Sequence, residues 1–192
     1  AVDAFDAKAH VLAALAAAGA PVSNLQVTTD APNFYHPGRS GVLRLGPKNV
    51  LARFGEIHPG VLRKLGVKNA MVGFEVFLDA IPQPKAKKNA AKPHLTLSQF
   101  HPVERDFAFV VDVDTEAGKV VRAAMSADKS IIVAVNVFDV FTGGSLGEGK
   151  KSLAVNVTLQ PVDKTLTDAD IDNVAQSIVA SVEKATGGTL RG

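Results

Sequence analysis

The segment KKSLAVNVTLQ, residues 150–160, alternates between apolar and polar side chains, and it constrains the fold more than any other stretch. In an extended strand the apolar positions point to one side: Leu153, Val155, Val157 and Leu159. The polar positions point to the other side: Ser152, Asn156, Thr158 and Gln160. The alternation predicts a strand in a sheet that is buried on one face and open on the other.

The segments around this strand predict a ferredoxin-like βαββαβ unit. Its expected elements are, in chain order, a strand at 105–113, a helix at 115–125, strands at 131–141 and 150–160, a helix at 167–188 and a strand at 189–191. In this arrangement both helices cover one face of the sheet, so the polar row would lie on the free face. A free polar face can receive single-stranded or looped RNA, or it is simply the solvated side of the sheet.

The first part of the chain predicts the order αβββαβ. Its expected elements are a helix at 3–19, a strand at 23–29, a hairpin of 41–45 and 49–57 around Gly46-Pro47, a helix at 58–66 and a strand at 71–79. For the first helix, the spacing of apolar residues predicts a buried side made of Phe5, Ala9, Leu12 and Ala16.

A lysine-rich stretch, PQPKAKKNAAKPH, predicts an exposed linker at residues 82–94. Residues 1–94 carry 12 Lys and Arg against 6 Asp and Glu, whereas residues 95–192 carry 9 against 13. The second part therefore has no bulk basic footprint for nucleic acid, so RNA binding there would need a local patch.

The glycine-rich segment GSLGEGKK, residues 144–151, partly matches the phosphate-binding pattern G-x-x-x-x-G-K-[ST]. Gly144, Gly149 and Lys150 fit, but Lys151 stands where a magnesium-binding hydroxyl is required. A phosphate loop lies between a strand and a helix, whereas this segment is expected to join two strands. We interpret its glycines as hairpin residues, with a nucleotide-binding enzyme as the alternative.

Metal and thiol chemistry have little support in this sequence. The absence of cysteine excludes disulfides, thiolate metal sites and a cysteine nucleophile, and it fits a reducing cytoplasm. Three His-Pro pairs begin at His36, His58 and His101, but they lack carboxylates at ligand spacing, so we expect turns and caps and no metal site. Arg39 follows Gly38 and could hold a phosphate or a carboxylate.

Two groups of motifs resemble successive parts of one known protein family. FYHPGRSGVLRLGPKNVLARFGEIHPGVLRKLG, followed by FEVFLD, resembles the late part of the β subunit of bacterial phenylalanyl-tRNA synthetase. SQFHPVERDFAFVVD, VFDVFTGGSLGEGKKSLAVNVTLQP, TLTDADI and the last TLR resemble the ferredoxin-fold anticodon-binding domain at the C-terminus of that subunit. The motifs occur in the family's order and cover nearly the whole chain.

The resemblance implies an α+β fold with a C-terminal ferredoxin-like βαββαβ sandwich, preceded by part of a class II synthetase-like antiparallel α/β module. Residues 1–81 would end that pseudo-catalytic module, residues 82–94 would link it, and residues 95–192 would be the anticodon-binding domain. The chain would be a C-terminal fragment of a cytoplasmic, non-membrane aminoacyl-tRNA synthetase. Whether the fragment is natural or excised stays open.

The resemblance also implies the chemistry of the parent enzyme, which is phenylalanine–tRNA ligase of protein biosynthesis. Its α subunit would join phenylalanine to tRNA with ATP and Mg²⁺, whereas this part would be non-catalytic and hold no cofactor. The implied partners are phenylalanine tRNA, the α subunit and the rest of the β subunit, in an αβ heterotetramer. The leading hypothesis is binding of the anticodon stem-loop, and the alternative is a subunit-assembly module with little RNA affinity.

Eight residues are the candidate RNA contacts. Arginine and aromatic side chains stack on splayed bases, carboxylates and amides bond base edges, and lysines contact phosphates. The candidates are Arg105, Phe138, Asp139, Lys150, Lys151, Ser152, Asn156 and Arg191. Strand parity decides whether Phe107 and Phe109 face RNA or the helices, and the residues alone leave that open.

Overall fold

The computed structural model describes residues 2–83 and 97–191. The chain divides into two compact units, Ala1–Ala91 and Lys92–Gly192, and each is described by itself. Of the predicted linker at 82–94, residues 84–94 lie outside the described part. In both units helices pack on antiparallel sheets, which confirms the α+β class.

The described residues of the first unit form two α-helices and a four-stranded antiparallel sheet. Its elements are α1 (Ala4–Ala17), β1 (Gln26–Thr28), β2 (Tyr35–Leu45), β3 (Asn49–Ile57), α2 (Pro59–Lys64) and β4 (Val72–Val76). The strands lie in the order β1-β2-β3-β4. The predicted order αβββαβ is therefore confirmed. Strand β2 begins at Tyr35, before the predicted start at residue 41, because Tyr35 and Ser40 also pair with β3.

Helix α1 buries a different side from the one predicted. It buries Ala7, Val11 and Leu15, whereas Phe5 is 77% exposed. The helix is so rich in alanine that apolar residues surround it, and several stripes fit the helical period. The stripe that contains Val11 and Leu15 packs against Leu43 and other residues of the sheet, so packing, not periodicity, selects it.

The hairpin of β2 and β3 contains a large bulge. Tyr35 pairs with Ile57 and Ser40 pairs with Gly55, so the segment His36-Pro37-Gly38-Arg39 opposes a single residue, Glu56. Arg39 Nη1 lies 3.0 Å from Glu56 Oε2 and ties the bulge to β3. Arg39 therefore makes a structural contact within the first unit.

The second unit contains the predicted βαββαβ order. Its elements are β5 (Val103–Asp112), α3 (Ala117–Ala127), β6 (Ile132–Phe141), β7 (Lys150–Leu159), α4 (Asp168–Thr186) and β8 (Thr189–Leu190). The sheet order is β6-β7-β5-β8, and every pair of neighbours is antiparallel. Gly187, with φ +69°, ends α4 in the left-handed conformation that glycine favours.

The core of the second unit lies between α3 and α4 and the side of the sheet formed by the odd-numbered residues of β5 and β7. Phe107 and Phe109 are 8% and 0% exposed and belong to this core, which settles the parity of their strand. On α4 the buried residues are Ile171, Val174, Ile178 and Val182, which recur at the spacing of one helix face. The two phenylalanine rings therefore stabilise the core and are not available for RNA.

The glycine-rich segment joins two antiparallel strands. Residues 142–149 connect β6 to β7 and contain one 3₁₀ turn, Gly144–Leu146. Gly147 and Gly149 have φ values of +87° and +73°, which side chains disfavour. The segment therefore lacks the strand-to-helix geometry of a phosphate loop, and its last two glycines serve the hairpin.

We predict that Gly55→Ala destabilises the first unit. Gly55 has φ +146°, and an added Cβ would lie 2.4 Å from Ser40 Cβ and 2.6 Å from the Arg39 carbonyl oxygen. Gly46→Ala is the control, since Gly46 also has a positive φ but nothing within 4 Å. Gly55→Ala should lower the free energy of unfolding by about 1–3 kcal/mol more than the control. Urea unfolding followed by the fluorescence of Tyr35, the one tyrosine of the chain, measures it; equal losses would contradict the prediction.

We predict an acid-dependent loss of stability at the start of α4. The Thr167 backbone N–H, then the Lys164 ammonium and the Thr167 hydroxyl, lower the pKa of Asp170 from its ordinary 3.8 to about 2. Because the folded-state pKa is depressed, this stabilisation is present above about pH 4 and is lost as pH falls towards about 2. The melting temperature of the wild type should exceed that of Asp170→Asn at pH 5, and the difference should vanish near pH 2. A difference that is constant with pH, measured by circular dichroism, would refute this.

Candidate nucleic-acid interface

The open face of the second sheet is the side that α3 and α4 do not cover. Strand alternation and pairing register assign its residues, because directly paired antiparallel residues lie on the same side. They are Glu104, Asp106, Ala108, Val110 and Asp112 of β5, Lys150, Ser152, Ala154, Asn156 and Thr158 of β7, Ala134, Asn136, Asp139 and Phe141 of β6, and Thr189 of β8. The polar row predicted for residues 150–160 lies on this face.

Two register shifts in β6 decide which of its residues reach the open face. They fall between Ile132 and Ala134 and between Val137 and Asp139. Phe138 is the extra residue of the second shift, and its side chain is 59% exposed on this edge strand. Because a bulge resets the alternation, Asp139 and Phe141 share the open face.

A group of residues in the middle of the open face, here called the alanine slot, combines small side chains with a charged group at either end. Ala108 and Ala154 pair directly and form its floor, and Asp139 pairs with Ala154 at one end. At the other end the Arg191 backbone N–H donates to the Ala108 carbonyl oxygen at 2.7 Å. The alanine slot is defined by these four residues and Phe141.

The alanine slot brings a guanidinium and an aromatic ring together. Arg191 Cζ lies over the Phe141 ring, 5.7 Å from its centroid. Strands β5 and β7 separate the two residues, a distance of roughly 14 Å at about 4.8 Å per strand spacing. The two side chains therefore meet above the methyl groups of the floor, where a larger residue than alanine would stand in their way.

The other half of the open face is acidic. Asn156 Nδ2 donates to Asp106 Oδ1 at 2.8 Å and to Glu104 Oε2 at 3.5 Å. Among the described residues neither carboxylate has a cation within ion-pair distance. Phosphate groups are repelled by this half, so an RNA backbone would be accommodated towards the alanine slot.

Two further predicted contacts, Lys150 and Ser152, lie on the open face, where the first forms an ion pair and the second is buried. Lys150 Nζ lies 2.6 Å from Asp112 Oδ1 at the rim, and both side chains are largely exposed. Ser152 is 4% exposed and presents no surface to a ligand. Asp139 and Arg191 are the predicted residues that the fold brings together in the slot.

The fold separates two other predicted contacts from the slot. Arg105 and Lys151 pair with Val157 and Val111, whose side chains face the helices. Arg105 Nη1 donates to the carbonyl oxygen of Glu104 at 3.1 Å, along the part of β5 that β8 does not cover. A charged side chain at an unpaired strand edge disfavours pairing with a strand of another chain.

Phe141, Ala108 and Ala154 were missed by the sequence analysis. Phe141 could have been found from its spacing, because it lies two residues after Asp139 and shares its side of a regular strand. The two alanines interrupt otherwise larger or polar residues at matched positions of β5 and β7. Recognising them requires the pairing register, which the residues alone do not fix.

Two of the three histidines in the His-Pro pairs accept hydrogen bonds from nearby backbone N–H groups. His58 Nδ1 accepts from the Gly60 N–H at 3.0 Å and caps α2, and His36 Nδ1 accepts from the Gly38 N–H at 3.1 Å. Within residues 2–83 and 97–191, no three His, Asp or Glu side chains are grouped as a metal site. No helix in these ranges has the length and apolar character needed to cross a membrane.

Two family models match the chain in succession. Residues 1–78 match the phenylalanyl tRNA synthetase beta chain CLM domain, and residues 98–191 match the ferredoxin-fold anticodon binding domain. The chain belongs to the phenylalanine–tRNA ligase β-subunit family. The second match spans the sheet that carries the alanine slot.

Individual relatives agree with the family models over the whole chain. The phenylalanine–tRNA ligase β subunit of Brucella abortus is 61% identical over 191 residues, which cover 100% of this chain and 24% of the relative. Those of Paramagnetospirillum magneticum and Mesorhizobium japonicum are 59% and 57% identical, with the same two coverages. The chain therefore spans about a quarter of the length of these relatives.

Proposed function

We propose that the second unit binds the anticodon stem-loop of phenylalanine tRNA in the alanine slot. The observation that carries the proposal is the Arg191 guanidinium over the Phe141 ring on a sheet face that no helix covers. Family membership supplies the class of RNA, since the matched domain is described as anticodon binding.

The side chains of the alanine slot suit a base that is turned out of its stack. Phe141 and Arg191 offer an aromatic ring and a guanidinium plane on which a base stacks, at about 1–3 kcal/mol per base. Asp139 carries only acceptor oxygens when ionised, so it selects a base edge that presents N–H donors. The alanine floor carries no side chain large enough to separate these two stacking groups.

Electrostatics limit the affinity of the isolated chain. The acidic half of the open face excludes phosphates, and residues 95–192 carry 13 acidic against 9 basic residues. In the complete synthetase, several weak contacts on one tRNA would add up to a higher affinity. We propose that this chain positions the tRNA without performing chemistry, while the α subunit aminoacylates it with ATP and Mg²⁺.

We predict that Arg191→Ala and Phe141→Ala each weaken binding of a labelled anticodon stem-loop about tenfold, because each removes a stacking surface. Arg122→Ala, which removes an exposed arginine from α3, should leave the affinity unchanged. Fluorescence anisotropy at low and moderate salt measures the dissociation constants. A stem-loop with an altered anticodon serves as the RNA control.

Two results would contradict the proposal. Equal binding of both stem-loops would show that the anticodon is not read by this chain. Equal losses in Arg191→Ala and Arg122→Ala would show that only the total positive charge matters. Lys150→Ala/Lys151→Ala adds a further arm, because Lys151 lies away from the slot and Lys150 pairs with Asp112. This variant should change the salt dependence of binding and little else, and a loss as large as that of Arg191→Ala would count against the slot.

A second candidate function, subunit assembly, is favoured by the exposed apolar side chains of the first unit. Phe5, Leu65 and Leu78 are 77%, 71% and 67% exposed, and Phe5 borders a cavity of about 410 Å³ with Val27 and Phe54. Large exposed apolar groups are typical of surfaces that other chains cover. Under this proposal Phe5→Ser reduces self-association of the chain in analytical ultracentrifugation, and an unchanged monomeric profile in both proteins would count against it.

A further inference from the structure

Gly143 lies against the ring of Phe141, two residues beyond it. A Cβ at position 143 would lie 2.5 Å from Phe141 Cζ and 2.8 Å from Phe141 Cε1. Gly143 has φ −161° and ψ 157°, an extended conformation that any residue adopts. The backbone therefore does not require glycine at this position, whereas the ring of Phe141 does.

The ring of Phe141 does not explain the neighbouring glycines. Gly147 and Gly149 have positive φ and no atom within 4 Å of an added Cβ, so the turn alone explains them. Gly144 has neither a positive φ nor a close neighbour. Of the four glycines between β6 and β7, Gly143 is thus the one at which an aromatic ring occupies the space that a side chain would need.

We propose that Gly143 is a positioning residue for the RNA site. By leaving room for the ring edge, it lets Phe141 lie where the Arg191 guanidinium covers its face. This inference rests on the proposed function, because it assigns Gly143 a part in presenting the stacking surface of the alanine slot. Gly143 itself does not contact the base.

An alanine at position 143 is expected to displace the Phe141 ring and to leave the fold unchanged. The atoms that it would meet are the far end of the Phe141 side chain, which is 42% exposed and can move aside. The backbone keeps its extended conformation. The expected consequence is a displaced ring, an altered contact with Arg191 and an unchanged melting temperature.

A double-mutant cycle tests the inference with the anticodon stem-loop. Gly143→Ala should weaken binding about tenfold, the full loss of one stacked base, and Gly144→Ala should leave it unchanged. In a Phe141→Ala background, Gly143→Ala should have no further effect, because the ring through which it acts is gone. An additional loss in that background, or equal losses at positions 143 and 144, would overturn the inference.

A measurement without RNA separates this inference from the proposed function. The ring current of Phe141 shifts the side-chain proton resonances of Arg191, which nuclear magnetic resonance detects in the whole chain. Gly143→Ala should move these resonances, and Gly144→Ala should not. Unchanged resonances in Gly143→Ala would overturn the placement of the ring by Gly143. Absence of stem-loop binding by the wild type would overturn the proposed function and, with it, the RNA role of Gly143, while the placement of the ring would stand.

Discussion

Packing of one sheet face against two helices is the interaction on which the second unit depends. Phe109, Leu153, Val155 and Val157 are at most 1% exposed, and each contributes about 1.5–3 kcal/mol by leaving water. Since strand side chains alternate, burying these residues sends their neighbours to the opposite face. The open face therefore follows directly from the core and needs no separate stabilisation.

The bulges of β6 give that open face its chemistry. Without a shift near Phe138, the alternation that continues from Val135 would turn Asp139 and Phe141 towards the helices. The shift places them beside the paired alanines, and the short β8 brings Arg191 to the other side of the same floor. Charge then divides the face, because the Glu104, Asp106 and Asn156 cluster lies on one side of the slot and the Lys150–Asp112 ion pair lies on the other.

The fold was largely readable from the sequence, whereas the site was readable only in part. Strict alternation in β7 and the periodicity of the segments around it are local signals, so the order βαββαβ and the free polar face could be predicted. The buried side of α1 could not, because an alanine-rich helix offers several apolar stripes. Asp139 and Arg191 were predicted singly; their meeting with Phe141 depends on a bulge and a register, which are properties of paired strands.

The central claim is that the alanine slot on the open face receives the anticodon loop. It is tested most directly by titrating the ¹⁵N-labelled chain with the phenylalanine anticodon stem-loop and following the backbone amide resonances. Our account predicts that the largest changes cluster around Ala108, Asp139, Phe141, Ala154 and Arg191, and that α3, α4 and the first unit stay unaffected. Changes that cluster on α3 and α4 or in the first unit, or no changes at all, would contradict it.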